Sequence, residues 1–153
     1  MVQPVVKNTM HLFMLSSQVV YPPTDGGKQG IYYRMNALGT RTRVSVCMVN
    51  SANIAAADGG FDAVHHVRII PQILKPSKEC SHFELVCQTM HWLTSSMPRQ
   101  ALVTDSAEVR KQLMEYIRET RVTTILLESP FVAPILDFPQ LRKWNVKIVV
   151  VLH

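Results

Sequence analysis

Apolar residues along this chain come in two rhythms, unbroken short runs and helical repeats. Over 11–20, HLFMLSSQVV, they are nearly continuous, and the run ends at Pro22 and Pro23, as a buried strand does on entering a loop. Gly26 and Gly27 follow, and then Ile31, Met35 and Leu38 fall at i, i+4 and i+7 behind Asp25, a residue suited to capping a helix. The segments RVSVCMVN (43–50) and AVHHVRIIPQ (63–72) read as second and third strands, separated by the turn-prone SANIAAADGG. A helical pattern covers 77–96. A second, clearly amphipathic one covers 105–121, with Val109, Leu113, Tyr116 and Ile117 on one face. TTILLES (123–129) is another buried strand, and a short helical or irregular stretch with three prolines (130–144) leads to VKIVVVLH (146–153), the most strand-like run, expected to reach the final residue.

Strands without polar alternation, alternating with helices, predict an α/β fold. The expected form is a Rossmann-like open parallel sheet with helices on both faces. The length of 153 residues suits a single domain, 1–153, and no repeat, low-complexity tract or linker divides it.

Composition narrows the setting. No run approaches the roughly 20 apolar residues of a membrane-spanning helix, and the first twenty residues lack the features of a signal peptide. Three cysteines, Cys47, Cys80 and Cys87, cannot all pair, which favours free thiols and a cytoplasmic location, with peripheral membrane contact left open. The net charge of +5 invites a nucleic-acid reading. The basic residues are scattered, however, in small groups such as Arg41 with Arg43 and Arg142 with Lys143, and are not interleaved with aromatics, so no nucleic-acid partner is expected. A mildly positive surface also suits anionic headgroups or phosphorylated substrates.

The stretch YPPTDGGKQGIYYRMNAL (21–38) carries the candidate chemistry. A turn from the first strand into the first helix sets backbone N–H groups beside a positive helix end, where anions bind. The spacing of Gly26, Gly27 and Gly30 is neither G-x-G-x-x-G nor a Walker loop, because Asp25 stands where the first glycine would be and Lys28 is followed by Gln29. A plain tight turn with no ligand fits it equally.

That stretch, extended through the second strand to Asn50, resembles the opening of the retaining GT-B glycosyltransferases of the family 4, or group 1, class. SSMPRQALVTDSAEVRKQLMEYIRETRVTTILLESPFVAPIL and VKIVVVLH are similar to later segments of the same family, in the same order. The resemblance implies an acceptor-side amino-terminal domain that works with a carboxy-terminal donor-binding domain. It implies a nucleotide-sugar donor whose diphosphate lies against Gly26 and Gly27, and a sugar or lipid-linked acceptor. Lys28 then either meets a phosphate or lies on a solvated helix face. The same resemblance maps the cleft histidine of the family onto His153, as the catalytic residue, and places Glu128 and Ser129 on the acceptor side. No cofactor is implied. The Glu-x₇-Glu motif of the family's donor domain is not found here, since no two glutamates stand eight positions apart. On this reading the donor domain is missing and the chain alone is not expected to transfer sugar.

Other constellations carry less. Cys80, His82, Cys87 and His91 include metal-ligand types, but zinc sites pair their ligands across a turn, so buried thiols with histidines on a helix face are expected and no metal. His65 and His66, adjacent in a strand, are expected to face opposite sides, one towards the core and one exposed. Cys47 reads as an inert small hydrophobe. Met10, Met14, Met35, Met48, Met90 and Met114 read as core filling, and Trp92 and Trp144 as packing anchors near helix ends or, less in keeping with the pattern, a sugar-stacking surface. Two other functions stay open: a freestanding single-domain nucleotide- or anion-binding module, and an interaction domain whose glycine turn binds nothing.

Overall fold

The computed structural model describes residues 10–51, 61, 63–71, 81–96 and 106–152. Five parallel strands form one sheet in the order β3-β2-β1-β4-β5, with β1 His11–Ser16, β2 Arg43–Ser51, β3 His66–Pro71, β4 Thr124–Leu127 and β5 Lys147–Val150. This is the α/β, Rossmann-like sheet that the unalternated apolar runs require. β1 lies at the centre and all six of its residues are buried, because neighbours flank it on both edges and helical layers cover both faces.

Side chains alternate across that centre. Phe13 and Leu15, with Cys47, Val49, Ile125 and Leu127, face one layer, built from α3 (Ala107–Glu119), a 3-10 turn (Pro130–Ile135) and α4 (Phe138–Lys143). Leu12 and Met14, with Val44, Val46, Met48 and Leu126, face α1 (Gly26–Gly39), which buries Ile31 and Met35 against them. α3 buries Leu113, Met114 and Ile117, and Val109 and Tyr116 pack beside them, as the helical repeat predicts. Each large side chain buried here is worth about 1.5–3 kcal/mol, so β1 and its two layers are the stable centre of the fold.

Several expectations shift at the edges. β5 ends at Val150 and does not run on, and Val149 and Val150 are 47% and 45% exposed, since an outermost strand lacks a neighbour and full helical cover. β3 begins at His66. His65 precedes it, accepting a hydrogen bond from the Val44 amide (3.2 Å) through Nδ1, and both histidines are exposed because they sit at the amino tip of an edge strand. Of the methionines, Met14, Met35, Met48 and Met114 are buried, whereas Met10 and Met90 are exposed. α2 (His82–Thr94) is held by a capping box, Ser81 and Glu84 each bonding the other's amide, yet among the described residues it contributes none to either core and shows Phe83, Val86, Met90 and Leu93 to solvent. Residues 77–80, where that helix was expected to begin, lie outside the described residues.

A buried polar relay ties the amino end of the sheet together. The Tyr116 hydroxyl donates to Ser45 Oγ (2.8 Å), Ser45 Oγ lies 2.8 Å from His11 Nε2, and His11 Nδ1 lies 3.0 Å from the Thr120 carbonyl oxygen. A carbonyl only accepts, so Nδ1 carries the imidazole proton and Nε2 accepts from the serine. Ser45 and His11 are both sealed from solvent, which makes this serine-histidine pair a structural bond and not a hydrolytic one. Burial lowers the His11 pKa below its usual 6.5, against the opposing hydrogen bond to Thr120, and Arg43 and His65 push it in the same direction as burial. The folded state therefore favours the neutral ring, whereas the unfolded chain takes up a proton near 6.5. Stability is expected to fall as pH drops below about 6.5, by at most about 1.4 kcal/mol per pH unit. Urea unfolding at pH 7.5, 6.5 and 5.5 checks this, and His11→Gln, though less stable, should lose the slope in that window.

Candidate functional site

The chain leaves β1 and β4 in opposite directions. β1 connects through α1 to β2 on one side, and its neighbour β4 connects through the 3-10 turn and α4 to β5 on the other. The carboxyl ends of these two strands therefore flank the switch point of the sheet, where open α/β sheets hold ligands. Gly26 and Gly27 begin α1 on one side of it, and Glu128 and Ser129 follow β4 on the other.

Local chemistry fixes the glycine turn. The Asp25 backbone is extended, and its carboxylate accepts from the Lys28 amide (2.9 Å) as the cap of α1. Chiefly through that amide, and further through the Lys28 ammonium, the Asp25 carboxyl is held below the usual carboxylate range. Lys28 Nζ lies 3.4 Å from Asp25 Oδ2 and donates to Thr24 Oγ1 (3.2 Å). Lys28 thus lies on the solvated shoulder of the turn, bound to its own cap, with the Asp25 charge compensated. A Cβ added to Gly26 or Gly30 would meet nothing within 4 Å, and one on Gly27 would meet only Asp25 Oδ1 at 3.4 Å. Nothing in the fold itself crowds these three positions. Gly30→Ala is therefore expected to stabilise the chain by about 0.5–1 kcal/mol, because alanine loses less backbone freedom in a helix interior; chemical denaturation checks it.

On the opposite side, the Glu128 amide donates to the Leu15 carbonyl (2.9 Å), carrying the pairing of β1 and β4 one residue beyond the strand. That bond turns the Glu128 side chain into the protein, where it is 3% exposed and ion-paired with Arg34 of α1. Arg34 sits in the third turn of α1, yet it reaches the carboxyl end of the sheet because helical side chains lean towards the helix amino terminus. The pair locks α1 to β4 across the switch point. Ser129 accepts from the Phe131 amide (3.3 Å) and caps the 3-10 turn.

The fold thus brings Gly26, Gly27, Lys28, Glu128 and Ser129 to one end of the sheet, beyond the carboxyl ends of the neighbouring strands β1 and β4. His153 lies outside the described residues. Arg34, which orients Glu128, was not singled out in the sequence; the available signal is a lone cation in the middle of α1, between the buried positions Ile31 and Met35. Comparison with protein-family models, with curated proteins and with solved structures gives no match.

The remaining candidates separate. Cys87 is exposed on α2 rather than buried, because α2 is not packed into either core, and His82 and His91 are exposed beside it. Cys80 lies outside the described residues. Among the described residues, no three His, Cys, Asp or Glu side chains come together as a metal site. Cys47 is buried in β2, and burial pushes its thiol up to about 12, which leaves it without nucleophilic character at neutral pH. No helix among the described residues is long and apolar enough to cross a membrane.

Proposed function

We propose that this chain is the acceptor-side domain of a GT-B glycosyltransferase that takes a nucleotide-sugar donor, and that Gly26 and Gly27 approach the donor diphosphate. One observation carries the reading. The glycine turn follows β1, one of the two strands that flank the switch point, and its glycines have open space where side chains would stand, so packing within the fold does not account for glycine there. The likeness of YPPTDGGKQG and LLESPF to the family's segments supports it. Amides at the start of α1 would meet the diphosphate, with the Asp25 charge already balanced by Lys28. The acceptor, a sugar or a lipid-linked sugar, would enter along Glu128 and Ser129. In this reading transfer requires a second domain that stabilises the departing diphosphate, and the isolated chain binds weakly. A competing reading, a turn that binds nothing, draws on the Asp25 carboxylate, which already occupies the helix end.

An NMR titration of the chain with UDP and GDP, following the amides of Gly26, Gly27 and Gly30, separates these readings. Weak shifts confined to the turn, abolished by Gly26→Ala and Gly27→Ala together, are the expected result. Tight saturable binding would point to a freestanding nucleotide-binding module, and the absence of any shift would leave a plain turn.

A further inference from the structure

α3 and α4 lie on the same face of the sheet, and a groove of about 340 Å³ runs between them, lined by Arg110, Lys111, Met114, Arg118, Asp137 and Trp144 among others. A second groove, of about 290 Å³, shares Arg118 and Trp144 with the first and continues to the amino ends of β4 and β5, adding Arg121. Together they form a channel along α3, from the 3-10 turn beyond the carboxyl end of β4 to the amino ends of β4 and β5, where Arg118, Arg121 and Trp144 lie, at the opposite end of the strands from the glycine turn.

Its charges are not balanced. Arg110 is committed, since its Nε (3.1 Å) and Nη2 (2.7 Å) both donate to the Pro134 carbonyl and tie α3 to the 3-10 turn. The Asp137 carboxylate is committed as well, accepting from the Gln140 amide (3.0 Å) to cap α4. Lys111, Arg118 and Arg121 remain against Glu115, and none of the three cations is ion-paired among the described residues. The carboxyl end of α3 accounts for about half a negative charge, which leaves the channel positive. Trp144 shares both grooves with these cations, packed against the core on one side and lining the grooves with the other. A groove of this size is at the small end of ligand sites, about 300–1,000 Å³. It offers a flat apolar wall flanked by guanidinium groups, which are suited to paired hydrogen bonds with phosphate oxygens.

We propose that this channel binds a nucleoside monophosphate, its base against Trp144 and its phosphate between Arg118 and Arg121, with Lys111 adding long-range attraction. The site is independent of the glycine turn. The chain has two tryptophans, so Trp92→Phe, at an exposed position of α2, leaves Trp144 as the sole indole reporter. In that background AMP should change Trp144 fluorescence saturably and less strongly at high salt, with inorganic phosphate competing and adenosine alone binding much more weakly. Arg118→Gln combined with Arg121→Gly should weaken AMP by about tenfold or more, as expected when charge-assisted hydrogen bonds are lost. Glycine suits position 121, where the backbone is left-handed (φ 53°), so Arg121→Gly alone keeps the fold and should weaken AMP in part. No saturable change with AMP, equal affinity for adenosine, or an affinity untouched by the double variant would overturn the proposal. AMP-induced NMR shifts confined to Gly26 and Gly27 would also overturn it while leaving the glycine-turn reading standing.

Discussion

Gly39→Ala is expected to destabilise the protein by about 3 kcal/mol, the upper part of the range for overpacking a tight site. Gly39 is the last residue of α1, and a Cβ there would stand 2.1 Å from the Ala63 carbonyl oxygen and 2.7 Å from its carbon. The obstacle is backbone, not the end of a flexible side chain, so relief requires moving either α1 or the turn before β3. That turn is itself held, by the Val64 amide on the Phe61 carbonyl (2.9 Å) and the His65 amide on the Val44 carbonyl (2.9 Å). Alanine is the better helix former at an unobstructed site, so a loss of stability here reports the close approach alone. Gly30→Ala serves as the internal control with the opposite sign. Urea unfolding of the two variants decides the matter: if Gly39→Ala is as stable as the parent, the end of α1 does not rest on Ala63.

Arg34→Ala carries the second large effect, about 2–3 kcal/mol, and it acts on the site as well as on stability. Removing one partner of a fully buried ion pair costs about 3–5 kcal/mol, because a charge is left in a low-dielectric surrounding without its counter-charge. The Arg34 side chain retains 34% exposure, so water screens part of the pair and the lower figure applies. Glu128→Gln should cost less, because the amide remains able to accept a hydrogen bond and asks no counter-charge of the interior. Arg34→Ala should also loosen α1 against β4. Hydrogen exchange should therefore quicken at the Glu128 amide, which bonds Leu15, more than at amides of α3. Equal stability losses for Arg34→Ala and Glu128→Gln, with no local change in exchange, would show that the pair does not bridge the switch point.

Much of the architecture was legible in the chain because burial on both faces removes polar alternation. HLFMLS, RVSVCMV and TILL could be read as strands of a parallel sheet covered on both faces for that reason. Asp25 announced the start of α1, since a short carboxylate before two glycines can accept the orphan amides of a first turn. The edges were less legible. VKIVVVLH is as apolar as a central strand, but β5 is outermost, and apolar composition cannot distinguish a residue shielded by a neighbour from one left half-exposed. α2 misled in the same way: its thiols were expected to be buried, whereas Cys87 is exposed and Phe83 and Leu93 face solvent.

The positions of Gly26, Gly27, Glu128 and Ser129 at strand ends followed from the sequence, because each lies where an apolar run meets a turn. Their convergence did not. Strand order is set by long-range packing and by the hand of the crossovers, and only the placement of β4 beside β1 brings Glu128 next to the end of the strand that leads into the glycine turn. Contacts such as Arg34 with Glu128, 94 residues apart, or His11 with Ser45 leave no local trace in composition or spacing. The chain by itself determined which segments are strands and helices, through periodicity and caps that act within a few residues. The tertiary structure alone decided which charges and hydroxyls are buried together, because desolvation becomes a cost only once the layers close and must then be met by whatever partner the topology supplies.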